Sequence, residues 1–236
     1  MPQPADTKVV PLVPNAKAER TRAAILAAAE QQFARRGFVA TRLEDVAAAV
    51  DLKRAALFYH FRDKQSLYDA VVANAFGPLT ARLQEAFSSS EPIPVKLERS
   101  VEAWVDTVVA RPTLARLILR HAAEADEHAA MPSFFPDADR LLESAWALFE
   151  QGCKSGDFKP VHDDPFHAAS TVIGATVFYV AALAPLLPNR SFEPLGPKQI
   201  AAHKRDTLRT VRLLLGIAEP TPARRKPAPR TKKKTR

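Results

Sequence analysis

Apolar side chains recur at Leu43, Val46, Ala47 and Val50, the i, i+3, i+4, i+7 spacing that lines one face of a helix. Thr41 and Glu44 stand just ahead at the T-x-x-E spacing of a capping box, which predicts a helix starting near residue 42 and ending near Val50. Asp51 follows, a residue that tolerates the left-handed backbone of a tight turn. A second short helix is predicted over 53–60, with Leu57 and Phe61 turned inward and Arg54, Ala55, Ala56, Tyr59 and His60 left on other faces. Small residues ringed by Arg, Tyr and His allow close approach to a DNA major groove and contacts to bases and phosphates. Spacing alone leaves two readings open, this helix–turn–helix or a plain helical hairpin inside a bundle.

The flanking pattern predicts helices and no strands. A first helix over 17–36 carries Ile25, Ala28, Ala29 and Phe33 at helical spacing and stops at Gly37. A fourth starts at Asp63, a capping residue, and runs through Leu67, Val71, Phe76, Leu79, Leu83 and Phe87, with a kink or break expected at Gly77-Pro78. Further helices are predicted over 95–110, 112–126, 136–155, 165–187 and 197–217; Pro112, Pro136, Pro165 and Pro197 sit where a first helical turn accepts proline. The expected architecture is all-α with about nine helices. It comprises an arm over 1–16, a helix–turn–helix unit over 17–78, a connecting helix, a bundle over 79–218 and a tail over 219–236.

Charge sharpens this division. The chain has 236 residues and a net charge of +8. Residues 219–236 carry eight Lys or Arg against one Glu, and residues 17–68 are basic, whereas 69–218 are slightly acidic. The pI of about 9.8 therefore reflects the tail more than the folded body. The tail, Pro-spaced and basic, is expected to stay disordered and to add salt-dependent affinity for nucleic acid. One Cys, Cys153, suits a reducing cytoplasm, and no apolar leader stands at the N-terminus. The stretch 168–187 is apolar and about 20 residues long, but Ser170, Thr171, Gly174, Thr176 and Pro185 dilute it, so a buried or interface helix is expected rather than a membrane span.

Residues 19–77 resemble the DNA-binding domain of the TetR family of bacterial transcription regulators. The resemblance rests on Ile25-Leu26, Ala28-Ala29, Phe33, Gly37-Phe38, Thr41, Val46-Ala47, Leu57-Phe58-Tyr59-His60-Phe61, Lys64 and Leu67. This chain has Asp51 where the family usually has Gly, Ala55 where Gly is common, Lys53 where Ser or Thr often caps, and Phe58 for a common Tyr. The resemblance implies a ligand-responsive, sequence-specific DNA-binding regulator, most often a repressor, dimeric and cytoplasmic, acting on a palindromic operator in double-stranded DNA. Arg54, Ala56 and Tyr59 are expected toward bases or the groove, Thr41, Arg42, Phe58, His60 and Lys64 along the backbone, and Lys53 among the DNA-binding residues. For Lys64, the cation at a helix N-terminus suggests an anion site, and the resemblance implies a backbone phosphate.

In the body, Trp104, Ile118, His121, Phe135, Trp146, Phe149, Thr171, Phe178 and Tyr179 are candidates to line a pocket for a small apolar or amphipathic effector. The last two helices, one apolar all round and one striped, are candidates for a four-helix homodimer interface. His121, His128, His162 and His167 do not form a metal-binding pattern, and no motif asks for a cofactor. No G-x-S-x-G, H-E-x-x-H or phosphate-cradling glycine loop is present, so no enzyme is expected. The rival reading is a helical protein-interaction module whose DNA reader has lapsed, with nucleic acid held only through the tail.

Overall fold

The computed structural model describes residues 16–124, 137–187 and 192–218, so the predicted arm and basic tail lie outside it. Among these residues the chain forms ten helices and no strand: α1 (Ala16–Ala40), α2 (Leu43–Ala48), α3 (Arg54–His60), α4 (Lys64–Ser88), α5 (Ile93–Ala110), α6 (Thr113–Glu124), α7 (Ala138–Ser155), α8 (Phe166–Ala181), α9 (Leu183–Leu186) and α10 (Pro197–Leu214).

α1, α2 and α3 close over Ile25, Ala29, Phe33, Val46, Leu57 and Phe61, all buried. The predicted stripe of α2 points inward as expected, with Val46 and Ala47 buried and Leu43 and Val50 packed beside them. The turn after α2 puts Asp51 at φ 55, the left-handed conformation expected there. α1 changes direction at Gly37 (φ 82, ψ 176), a backbone region open essentially only to glycine. A Cβ there would also collide with the Glu124 carboxylate.

The structure departs from the sequence expectations in four places. The capping box does not form: Arg42 is the residue before α2 and no side chain caps it. Thr41 is buried and its hydroxyl instead donates to the Gly37 carbonyl at 2.6 Å. α4 runs unbroken through Gly77-Pro78 for 25 residues. Proline at 78 leaves the Asn74 carbonyl without its helical donor, and Arg111 Nη1 donates to that oxygen at 3.4 Å. The helix expected over 165–187 stops at Ala181, and α9 is a separate turn. Pro185 has no N–H for the Ala181 carbonyl, which ends the helical ladder there. α10 ends at Leu214, three residues short, because Gly216 turns left-handed (φ 60) against the Lys159 carbonyl. Lys159 and Val161 N–H groups then satisfy the Leu215 and Leu214 carbonyls at 2.8 and 3.0 Å.

One apolar core runs from Ile25 through Val105 and Leu114 to Leu215. α6 lies along α1, and polar bonds mark this seam. Glu30 of α1 is 4 % exposed and accepts from Arg111 Nε at 2.8 Å, with Arg111 Nη2 and the Thr113 hydroxyl also on its carboxylate. At the far end of α6, Arg120 donates to the Arg35 carbonyl at 3.0 Å and Glu124 accepts from the Phe38 N–H at 2.8 Å. α10 is tied to α5 by Lys204–Asp106 at 3.0 Å and Arg212–Glu98 at 2.6 Å. No helix among the described residues is long and apolar enough to cross a membrane.

Candidate nucleic-acid interface and ligand cavity

Leu57 and Phe61 anchor α3, which leaves its opposite side to solvent. Arg54, Ala55, Phe58 and Tyr59 form that exposed side, and Tyr59 is 84 % exposed. Ala56 and His60 are half-buried at its edge, so the small residue at the centre of the exposed face is Ala55 rather than Ala56. Arg42 and Lys53 are exposed at the starts of α2 and α3. Thr41, by contrast, offers no free hydroxyl to the surface. The Arg54 guanidinium lies 2.7 Å from the Glu44 carboxylate and 5.6 Å from the centre of the Phe58 ring. Glu44, whose spacing suggests a cap, therefore meets the exposed side of α3 instead. The contact joins two helices, and no local pattern announces it.

Lys64 occupies the first turn of α4. Asp63 caps that helix, accepting from the Ser66 N–H at 2.7 Å while the Ser66 hydroxyl accepts from Asp63 N–H at 3.1 Å. The Ser66 N–H bond and the Arg62 side chain hold the Asp63 carboxyl below its usual range. Lys64 Nζ donates to the Val39 carbonyl at 2.9 Å and lies 4.7 Å from the Phe38 ring centre. Partial burial lowers its pKa, with Glu124 pulling the other way. A cation in a first helical turn thus has a partner within the chain, and its ammonium retains further donors.

The body holds a half-open cavity of about 270 Å³ between α4, α5, α7, α8 and α10, with Leu142, Trp146 and Phe166 at its exposed rim. Leu97, Trp104, Trp146, Phe149, Phe158 and Val172 are among its walls, and its lining is almost wholly apolar. Of the nine sequence candidates, Trp104, Trp146 and Phe149 line it. Ile118 packs on the core elsewhere, and Phe178 is half exposed on the outer face of α8. Thr171 is exposed and donates to the His167 carbonyl at 2.8 Å. Tyr179 stacks on His203 at 4.1 Å. His121 joins α6 to α4 beside the α1–α6 seam, 3.2 Å from the Tyr68 hydroxyl and stacked on that ring. Burial pushes the His121 pKa down and the Tyr68 pKa up. Phe135 lies outside the described residues. Phe158 and Val172 were missed because an aromatic or aliphatic side chain on a cavity wall has the same sequence signature as one in solid core. Among the described residues no three His, Cys, Asp or Glu converge to hold a metal ion.

Comparison with known proteins agrees with this geometry. The model of the bacterial regulatory proteins of the tetR family matches residues 25–71. The HTH-type transcriptional repressor BepR of Brucella suis is 35% identical over 92 residues, covering 39% of this chain and 44% of that protein. The chain thus spans about half or less of the length of that relative. The HTH-type transcriptional regulator RutR of Escherichia coli is 30% identical over 160 residues, 66% of this chain and 72% of that one. Among solved structures, the fatty acid degradation regulator FadR from Bacillus halodurans superposes with a TM-score of 0.61 at 14% identity, over 81% of this chain and 94% of that chain.

Proposed function

The chain belongs to the tetR family of bacterial regulatory proteins, and from that premise we propose that it is a ligand-responsive, sequence-specific DNA-binding repressor. The observation that carries this reading is the exposed face of α3, where Arg54, Ala55, Phe58 and Tyr59 stand opposite the buried Leu57 and Phe61. An anchored helix with a small residue between Arg and aromatic side chains fits a major groove. Residues 17–78 form the DNA-binding unit and residues 79–218 the ligand-binding and dimerisation unit. Arg54 and Tyr59 meet bases. Arg42, Lys53, Phe58, His60 and Lys64 follow the phosphate backbone.

The protein acts in the cytoplasm as a homodimer through α8 and α10. α8 supports this pairing: Thr171, Gly174, Ala175 and Phe178 form an exposed, mostly apolar stripe at i, i+3, i+4 and i+7. Two-fold symmetry makes the operator palindromic. The effector is a small apolar molecule seated in the 270 Å³ cavity. A 150 Å³ cavity takes a benzene ring, so this one admits a body of roughly ten carbons. Its entry shifts α4, α5 and α8, and the α6 seam carries that shift to α1, a coupling of about 1–3 kcal/mol.

The test offers the purified protein fragments of its own genome at about 0.15 M salt, beside the Arg54→Ala/Tyr59→Ala double variant. Recovery of a few palindromic sites by the wild type alone is expected. Indiscriminate recovery by both proteins would remove the reading. Trp104 and Trp146, the only two tryptophans, both line the cavity. Their emission therefore reports effector entry directly.

A further inference from the structure

We propose that Arg54 and Glu44 work as one unit that recognises a whole G·C base pair, an inference that rests on the DNA-binding reading above. Arg54 is held from two sides. Its Nη1 is 2.7 Å from Glu44 Oε1, and its guanidinium carbon is 5.6 Å from the Phe58 ring centre. The two side chains are 57 % and 54 % exposed, so the pair sits on the recognition surface and not in the core. Exposed ion pairs of this kind add little to stability. A lone carboxylate on a face that meets DNA would be repelled by phosphates, and Arg54 neutralises it.

The chemistry of the pair matches one base pair. A guanidinium has five N–H donors and a carboxylate about four acceptor positions, so the mutual contact leaves both groups with capacity to spare. Side by side they present a donor edge and an acceptor edge. In the major groove guanine shows two acceptors, N7 and O6, and its paired cytosine shows the N4 amino donor. Arg54 faces guanine and Glu44 faces cytosine. An A·T pair offers a donor at adenine N6, against the guanidinium, and an acceptor at thymine O4, against the carboxylate. Both would oppose. Reversing the G·C pair swaps the edges, so orientation is read too. The unit carries no net charge, so it contributes specificity without adding to the salt dependence that phosphate contacts create.

The measurement is selection from a library of random-sequence duplexes at about 0.15 M salt, followed by sequencing, with wild type, Arg54→Ala and Glu44→Ala. Both residues are exposed, so both variants keep the wild-type melting temperature, which is checked first. The wild type is expected to enrich one oriented G·C pair in each half-site. Arg54→Ala should reduce the preference at that pair roughly ten- to hundredfold. Glu44→Ala should relax the same pair while neighbouring positions keep their preferences, and the salt slope should grow because Arg54 is no longer neutralised. Full retention of the G·C preference in Glu44→Ala, which has no acceptor for cytosine N4, would overturn the unit and leave Arg54 reading alone. Weaker binding of Arg54→Ala to all sequences alike, with the preference at the G·C pair retained in full, would make Arg54 a phosphate contact and also overturn it. Absence of any enriched sequence with the wild type would remove the unit together with the DNA-binding reading.

Discussion

The N-terminal helices α1–α3 and the bundle of α5 to α10 solve the same packing problem in opposite ways. α1–α3 are small and fully packed: Ile25, Phe33, Val46 and Leu57 are all at or below 1 % exposure. Every large apolar side chain on their inner faces is used, and the outer face of α3 is free for a partner. The bundle keeps a cavity of about 270 Å³ among its aromatic side chains and leaves Phe178, Leu186 and Leu213 at its surface. A solid core fixes a surface precisely enough for recognition. A core with space in it has room for a guest. The polar seam along α6 joins the two.

The largest effect should come from emptying the solid part. Phe33→Ala removes a fully buried ring that stacks on Phe38 and meets Tyr68 edge-on at 5.0 Å. It should cost about 3–5 kcal/mol in denaturant unfolding. Phe149→Ala removes a ring of similar burial from the wall of an existing cavity, where fewer contacts are lost. It should cost clearly less and should change the emission of Trp104 and Trp146. Equal losses for both would end the contrast between solid and hollow cores.

Next comes the seam. Arg111→Ala removes the charged partner of the buried Glu30 carboxylate, leaving it the Thr113 hydroxyl, and strips the Asn74 carbonyl of its substitute donor. Removing one partner of a buried pair costs about 3–5 kcal/mol; because Arg111 is one-third exposed, the lower end is expected. Hydrogen exchange should show faster exchange near Pro78 and along α1, with the distant end of α10 unchanged. Exchange rising evenly across the whole chain would mean that Arg111 serves global stability and not this junction.

These two cases also mark how far the sequence could be read. The helix–turn–helix was legible because its signals are local: the stripe from Leu43 to Val50, the Leu57/Phe61 spacing and Asp51 in a left-handed turn all lie within twenty residues. The unbroken α4 was not legible. Pro78 announces a break, and the donor that rescues Asn74 comes from Arg111, which no local spacing connects to it. Glu44 was misread for the same reason, since its spacing from Thr41 suggests a cap while its partner Arg54 stands on the next helix. In the bundle, Trp104, Trp146 and Phe149 were found as aromatics, but nothing in the sequence separates a cavity wall from a filled core. His121 and Tyr179 were drawn to the pocket by their polar groups, which in fact pair with Tyr68 and stack on His203.

Gly37 tests whether the seam sets the shape of the reader. Its φ of 82 and ψ of 176 disfavour any side chain, and a Cβ would strike the Glu124 carboxylate. Gly37→Ala should cost about 1–3 kcal/mol. It should also weaken DNA binding by more than the stability loss explains, because Glu124 would leave the Phe38 N–H and disturb the approach to α2. DNA affinity that is unchanged in the folded variant would show that α2 and α3 keep their place without this contact.

The smallest effect separates the seam from the bundle by pH. His121 sits beside the seam facing Tyr68 and Glu124, and His203 sits within the bundle facing Thr176, Tyr179 and Asp206. Burial lowers both pKa values below the ordinary 6.5, with Glu124 and Asp206 opposing the shift. A folded pKa below the unfolded one means that the unfolded chain takes up the proton first. Stability is therefore full above about pH 6.5 and declines as the pH falls from there toward the folded values. Melting temperatures at pH 7.5 and 5.5 should drop for the wild type and drop less for His121→Gln and for His203→Gln. His121→Gln should also slow the acid-induced rise in hydrogen exchange at Phe38 and Tyr68, whereas His203→Gln should leave those amides as they are. If His203→Gln protects the seam equally, acid loosens the molecule as a whole and the seam has no titration of its own.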